Sequence, residues 1–508
     1  MNSRLGWLIP RLSVRLCAAA LSSTSSYDIV VVGGGMVGNG LAALSGTSNV
    51  LRHKRLLLLE STPKKEFILQ EQYQTRTVAL NETSRKLLQE LGAWDFIEAQ
   101  RVQPVYEMKV WETQSDAFLT FKRNPIAHIA ENNLVAEALR LAAVARSKNL
   151  TIAHGAVVED ISLPSSKCPD QLVKIRVRFR ENDDVQDFET KLLIGADGVR
   201  SKVREVSGIH TVSWDHGQSA IVAIPHMGEG NEEHVAWQRF LPTGPLALLP
   251  LSSQYSCLIW STTNSEAARL MTLSEADFVA ELNDALTRTH VPTTPIASGL
   301  RSLGQNVMTF LDSVVGKSDA AAVPASLPTP PVIKGLQTGT KRSVWPLGFH
   351  HATCYHAPRV ALAGDAAHRI LPLAGQGVNL GFGDVISLVK YLEEAVSEGG
   401  DLGNTMYLSR YTSERERDVV PFAAAMEIIN ALYSTEALAL KFGAPTKKTW
   451  SDAIERPSSL DKGVRLLASL RAIGVGAVQS SALLKSLFLQ TAVSGHVGLP
   501  GFDCRSAD

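Results

Sequence analysis

The feature that leaves this chain fewest choices is a strand that runs straight into glycine. Tyr27 to Val32 is a β-branched run, and Gly33, Gly35 and Gly38 follow it in G-x-G-x-x-G spacing. An Ala- and Leu-rich helical stretch extends to about Ser45, and a second apolar run, Lys54 to Leu59, ends in Glu60. Strand, glycine turn, helix and strand predict a compact βαβ unit. Gly33 permits the tight turn, Gly35 lets backbone approach a pyrophosphate, and Gly38 lets the helix pack close. Glu60 stands where a carboxylate takes an adenosine ribose hydroxyl, and a carboxylate there argues against a 2′-phosphate. An unphosphorylated adenosine, as in FAD or NAD, is favoured.

A second stretch of the same kind lies far downstream. The run Arg359 to Ala363 leads into Gly364, Asp365, Ala366, Ala367 and His368, then Pro372, Gly375, Gln376, Gly377 and Asn379. A helical pattern leaves it from Asp384. An Asp just past a strand end accepts hydrogen bonds from sugar or ribityl hydroxyls, and small residues after it let amides reach a flat ligand. A plain strand-to-helix turn is the alternative. Between the two, Lys191 to Gly195 reads as a strand entering a turn at Asp197 and Gly198, with a basic helix after it. Arg76 either pairs with a phosphate or is a surface arginine. Asn132 precedes the helix 134–146 and by itself reads as a cap.

The remaining segments suggest strands. Runs at 108–111 and 118–121 read as strands, and 172–179 with 188–193 flank the polar loop 181–187 as a hairpin. Runs at 220–224, 235–241, 246–251 and 257–260 imply an antiparallel sheet with one wet and one covered face. Trp237, Phe240, Leu246 and Leu248 would either wall a ligand chamber or fill the core. The Pro-, Gly- and Ser-containing stretch 312–341 reads as a solvated loop or insertion.

Length and composition bound the rest. The 508 residues allow two or three domains, and 45% hydrophobic with 20% charged residues is globular. Equal numbers of basic and acidic residues exclude the basic excess that a nucleic-acid partner needs. Five scattered cysteines without a Cys-x-x-Cys fit neither a disulfide framework nor a thiolate zinc site. His350, His351, His356 and His368 lack helical metal-ligand spacing, so no metal is expected. Residues 1–26 carry Arg4, Arg11 and Arg15, many serines and no acid, which is a mitochondrial presequence pattern. The apolar tail 461–489 is interrupted by Arg465, Arg471 and Lys485, so it either lies on a membrane surface or packs on its own protein.

With Gly33, Gly35, Gly38 and Glu60, then Gly195 to Gly198, then Gly364 to Asn379 in order, the chain resembles the class A flavoprotein monooxygenases. The wording of 373–381 and of 237–245 is similar to the ubiquinone-biosynthesis hydroxylases, and the presequence points to their mitochondrial branch acting on ring C5. The resemblance implies an α/β (α+β) fold, an FAD-binding Rossmann-like βαβ domain interleaved with an antiparallel-sheet substrate domain and followed by a helical tail. Its expected boundaries are 1–26 for the presequence, 27–105 with 131–212 and 350–435 for the FAD part, 106–130 with 213–349 for the substrate part, and 436–508 for the tail. It implies FAD held by Gly33, Gly35, Gly38, Glu60, Arg76, Asn132, Asp197, Gly364, Asp365, Pro372, Gly375, Gln376, Gly377 and Asn379. It also implies a polyprenylated phenolic substrate and O2, electrons through ferredoxin and its reductase, contact with other ubiquinone-biosynthesis proteins, and peripheral attachment to the matrix face of the inner membrane. Thr75 departs from the Asn or Asp usual before the family arginine. Two alternatives stand beside this reading: an isoprenoid-directed flavin reductase or dehydrogenase, and a non-catalytic prenyl-binding protein.

Overall fold

The structure is a computed structural model that describes residues 25–113, 118–165, 171–228, 234–288, 329–372 and 375–433. The presequence before residue 25, the tail from 434 and most of the 312–341 stretch lie outside the described residues.

The first sheet is built on the predicted βαβ unit. Ser25–Val32 pairs in parallel with Leu56–Glu60 on one side and with Val185–Gly195 on the other. Leu150–His154 extends one edge, and Val360–Leu362 the other. Where helices cover both faces the strands are apolar, as at residues 29–32, 56–59 and 192–194. Met36–Thr47 joins the first two strands, and Asn132–Arg146 packs against it through buried Leu134, Val135, Ala138 and Leu139. The predicted hairpin is present, with Val173–Phe179 antiparallel to Val185–Gly195. Ser25 and Ser26 already pair with Phe188 and Glu189, so the ordered strand starts inside the stretch assigned to the presequence.

The second sheet has nine strands, in the order 368–369, 343–352, 211–223, 256–263, 244–250, 235–241, 103–112, 118–131 and 77–80. All its pairings are antiparallel except 235–241 with 103–112. The central strands are buried on both faces, while the face that carries Ala220 stays open at Trp345, directly opposite it, as one wet and one covered face would have it. Strand alternation sends Trp237, Leu246 and Leu248 to one side, where they form a core with Trp111, Trp260 and Phe278 under the helices Asn264–Thr272 and Glu275–Thr287. Those three residues are core and do not wall a chamber. Phe240 has the opposite parity and shares its face with Pro245, Ser261 and Ala220. That face meets the first sheet's machinery, because Ala220 packs with Leu347 and Leu371.

Two further expectations change. Within 312–341, Ile333–Leu336 is a strand paired with Pro225–Met227. The helix expected from Asp384 begins at Gly377 and runs to Ser397. Its first turns hold Gly381 and Gly383, poor helix formers, because close packing demands them. A Cβ on Gly381 would lie 2.8 Å from Val37 Cγ2, and one on Gly383 would lie 2.7 Å from the Arg415 guanidinium.

Candidate functional site

The three glycine and aspartate segments converge on one cleft. Gly33 has φ +109°, and a Cβ there would meet the Ala196 carbonyl at 2.2 Å, so the βαβ turn and the Asp197 turn touch through a missing side chain. A Cβ on Gly38 would meet the Gly33 carbonyl at 1.9 Å. Glu60 reaches back to the turn, its carboxylate accepting from the Gly34 N–H at 2.8 Å and the Thr62 N–H at 2.6 Å. Asn39, which the sequence reading passed over, donates from Nδ2 to the carbonyls of Gly34 and Gly35 and holds the loop from inside.

The downstream segment packs on this turn. Gly364, at φ +62°, has no room for a Cβ beside Val37 in the first turn of the 36–47 helix. Asp365 follows. Its side chain is accessible, yet burial pushes its carboxyl above the usual carboxylate range, against the lowering pull of His368, Arg369 and Arg76. Accessible atoms amid dense protein mark the floor of a concave cleft. Arg76 thus reaches Asp365 electrostatically and sits 5.1 Å over the exposed ring of Trp345. The Arg76 carbonyl accepts from the Asn132 N–H at 3.0 Å, which brings Asn132 to the same wall.

Asn379 is occupied by the protein itself. Its Oδ1 accepts from the Asn81 N–H and the Ser84 hydroxyl, and its Nδ2 donates to the Ala79 carbonyl and to Gln376 Oε1. It fastens the 375–379 segment to the 77–80 strand, where Gly375, at φ +61°, fits against Ala79. Asn379 and Gln376 therefore shape the cleft through the backbone. Pro372 borders the undescribed residues 373–374, so what its ring faces lies outside the described residues.

Several observations test whether these residues suit a flat phosphate-bearing cofactor. Among the described residues beyond its own neighbours, a Cβ on Gly35 or on Gly377 would meet no atom within 4 Å. Gly35 caps the 36–47 helix and Gly377 starts the 377–397 helix, and helix N-termini favour anions. Asn132 Oδ1 and Asp197 Oδ1 are buried and have no hydrogen-bond partner among the described residues. Buried polar atoms are nearly always paired, so a ligand bearing hydroxyl donors would suit these two, although Trp237 Nε1 and Thr262 Oγ1 in the second sheet also lack a partner among the described residues. The other Asp197 oxygen accepts from the Lys202 and Val203 amides and anchors the turn. The residues fit.

Behind the Gly364 turn is a buried charge cluster that the sequence reading missed. Asp384 Oδ2 accepts from the Gly364 N–H at 2.8 Å and pairs with His368 Nε2 at 2.7 Å, while its Oδ1 takes Arg415 Nε at 2.7 Å. Burial alone would raise the Asp384 carboxyl, but His368 and Arg415 hold it below the usual range. His368 is thus a hydrogen-bond partner of Asp384 behind the turn. The available signal was one carboxylate, Asp384, set among Leu380, Phe382, Val385 and Leu388 on a helix that is otherwise apolar there.

His350 and His351, on the strand beside this turn, are both pushed down to about 4, His350 by burial and then by Arg204, His351 by burial and then by His368. Both therefore titrate lower in the folded chain than the ordinary value of 6.5. An unfolded chain takes up these protons first, so their contribution is complete above 6.5 and declines as the pH falls towards about 4. Urea denaturation across that window should show the loss, and His351→Gln should flatten it.

Residues 26–309 and 332–425 match the FAD binding domain family. Over 426 residues the chain is 40% identical to the "ubiquinone biosynthesis monooxygenase COQ6, mitochondrial" of Xenopus tropicalis, covering 82% of this chain and 89% of the relative. It is 38% identical over 457 residues to the Homo sapiens protein of that name, covering 88% and 93%. Among solved structures, p-nitrophenol 4-monooxygenase PnpA of Pseudomonas putida superposes with a TM-score of 0.60 at 16% identity, over 94% of this chain and 100% of that one.

Proposed function

Because the chain belongs to the FAD binding domain family and, within it, to the mitochondrial ubiquinone-biosynthesis monooxygenases, we propose that it hydroxylates ring C5 of a polyprenylated hydroxybenzoate-type precursor of ubiquinone. It is a flavin-dependent monooxygenase, and its cofactor is FAD. The observation that carries the site assignment is the convergence of the turns at Gly33, Asp197 and Gly364 on a cleft with two open glycines and two unpartnered buried oxygens.

In this reading Gly33, Gly35 and Gly38 carry the pyrophosphate, with Arg76 beside it, and Glu60 takes the adenosine ribose. Asp365 and Asn132 accept hydroxyls of the ribityl chain, and Asp197 supplies a further acceptor. The backbone from Pro372 to Asn379 borders the ring system. When bound, FAD supplies the oxygen activation, which is the cofactor's own chemistry. The protein's part is to orient the ring and exclude water. On the sheet face that carries them, Phe240, Ala220 and Leu347 supply apolar surface for that task and for a prenyl tail. Residues 27–105, 131–212 and 350–435 would form the cofactor part, and 106–130 with 213–349 the substrate part.

The finer partners follow from the same reading: ferredoxin and its reductase as electron source, other ubiquinone-biosynthesis proteins, and peripheral contact with the matrix face of the inner membrane. Among the described residues no helix is long and apolar enough to cross a membrane. Complementation of a ubiquinone-deficient strain, in labelled dioxygen, should restore a C5-hydroxylated intermediate carrying the label. A product without that oxygen would instead indicate the reductase alternative. Asp365→Ala should lose bound flavin, read as absorbance of the purified protein, and a fully yellow variant would refute the ribityl role.

A further inference from the structure

Beside the Gly364 turn runs a line of rings that none of the roles above uses. The His368 ring lies 5.6 Å from that of Tyr355. Tyr355 is fully buried, and its hydroxyl is 2.8 Å from His351 Nε2. His351 lies nearly parallel to Phe349, with centroids 6.4 Å apart, and Phe349 stacks on Trp214 at 4.1 Å. Trp214 reaches the surface, 37% exposed, and its indole N–H donates to the Glu427 carboxylate at 3.2 Å.

Two features set this line apart from ordinary aromatic packing. Its oxidisable rings, Tyr355 and Trp214, each have a proton acceptor in hydrogen-bond contact. Buried Tyr411, whose ring is 6.3 Å from Tyr355, has none, because its hydroxyl is committed to the Leu362 carbonyl. The line also has direction, with one end beside the cofactor turn and the other in solvent. Burial holds His351 uncharged at neutral pH, and in the tautomer with its proton on Nδ1 the Nε2 accepts from the phenol. Burial also pushes Tyr355 well above the usual tyrosine value, so the phenol keeps that proton until it loses an electron.

We propose that Tyr355, His351, Phe349 and Trp214 form a conduit that carries oxidising equivalents from the oxygen-activating cleft to the protein surface. The proposal rests on flavin being held at Gly364 to Asn379. The oxidant is an oxygen-centred radical of the hydroxyl class, formed inside the cleft when, without substrate, reduced flavin gives one electron to peroxide still held there, which splits into that radical and hydroxide. It takes one electron from Tyr355 and, with a proton from solvent, becomes water. The Tyr355 proton passes to His351 Nε2, leaving a neutral phenoxyl radical. An electron then moves from Trp214, across Phe349 and His351, to Tyr355, which recovers its proton from His351. The indole proton of Trp214 passes to Glu427. A soluble thiol or ascorbate, a one-electron reductant, restores Trp214 at the surface.

The test uses full-length FAD-loaded protein, photoreduced and re-aerated in repeated cycles without substrate. Catalase and superoxide dismutase are present to remove oxidants in bulk solvent, and oxidised peptides are mapped by mass. In the wild type, Trp214 should be oxidised well beyond Met406, which is more exposed at 52% and lies outside the line. Tyr355→Phe keeps the ring and removes only the hydroxyl; with flavin content equal to wild type, its Trp214 oxidation should fall to the Met406 level. Freeze-quenched Trp214→Phe should accumulate the electron-paramagnetic signal of a tyrosyl radical, and the double variant should lose it. Undiminished Trp214 oxidation in Tyr355→Phe, or no radical signal in Trp214→Phe, would overturn the conduit. A wild-type protein that holds no flavin would instead overturn the functional reading beneath it.

Discussion

Gly35→Asp is expected to give a folded, colourless protein. Gly35 is the cap of the 36–47 helix, with φ −73° and ψ −169°, a conformation open to any residue. Its Cβ would meet no protein atom within 4 Å. Aspartate is a preferred helix cap but glycine is only slightly worse, so the substitution should leave stability unchanged or raise it by roughly a few tenths of a kcal/mol. The same carboxylate would stand where the pyrophosphate must lie, and like charges in a confined cleft exclude one another. Purification should give normal circular dichroism and an unshifted or higher melting temperature with no flavin absorbance. Bound flavin at wild-type occupancy would show that this cleft does not hold the cofactor. Gly33→Ala offers the contrast: its Cβ collides with the Ala196 carbonyl at positive φ, so it should lower stability and flavin content together.

Asp384→Asn should produce the largest loss of stability. It removes the negative partner of Arg415, a buried guanidinium, and of His368, whose side chain is also buried. Breaking a buried pair by removing one partner typically costs about 3–5 kcal/mol. Urea denaturation at neutral pH measures the loss. The sign of the pH dependence follows from the depressed Asp384 carboxyl. A depressed acid contributes stability above its unfolded value of 3.8, and that contribution disappears as the pH falls below it. The variant should therefore lose much of the wild type's acid sensitivity in that range. A variant as stable as wild type would mean that the cluster does not hold the Gly364 turn.

Much of the cofactor site was legible because its chemistry is local. Gly33, Gly38 and Gly364 are required by backbone approach and positive φ, and Glu60 must end the strand beside the turn. Each demand is met within a few residues of chain, so it leaves a motif. The second sheet was less legible. Its strands showed in their apolar runs, but Trp237 and Phe240 differ in destination only by parity, and parity has no sign until the covering layers are known. Asn379 read as part of the cofactor loop, and its side-chain bonds to 79–84 and 375–376 could not be read from the sequence.

By itself the sequence determined the βαβ unit, the turns at Gly33, Asp197 and Gly364, and the family, because short-range sterics and hydrogen bonding dictate those residues at those spacings. Tertiary structure alone decided which faces line the cleft, the burial of Asp384 with His368 and Arg415, and the alignment of Tyr355 with Trp214. Those arrangements join residues from distant strands and helices. Their energies come from desolvation and packing, which depend on what the rest of the fold places around each group.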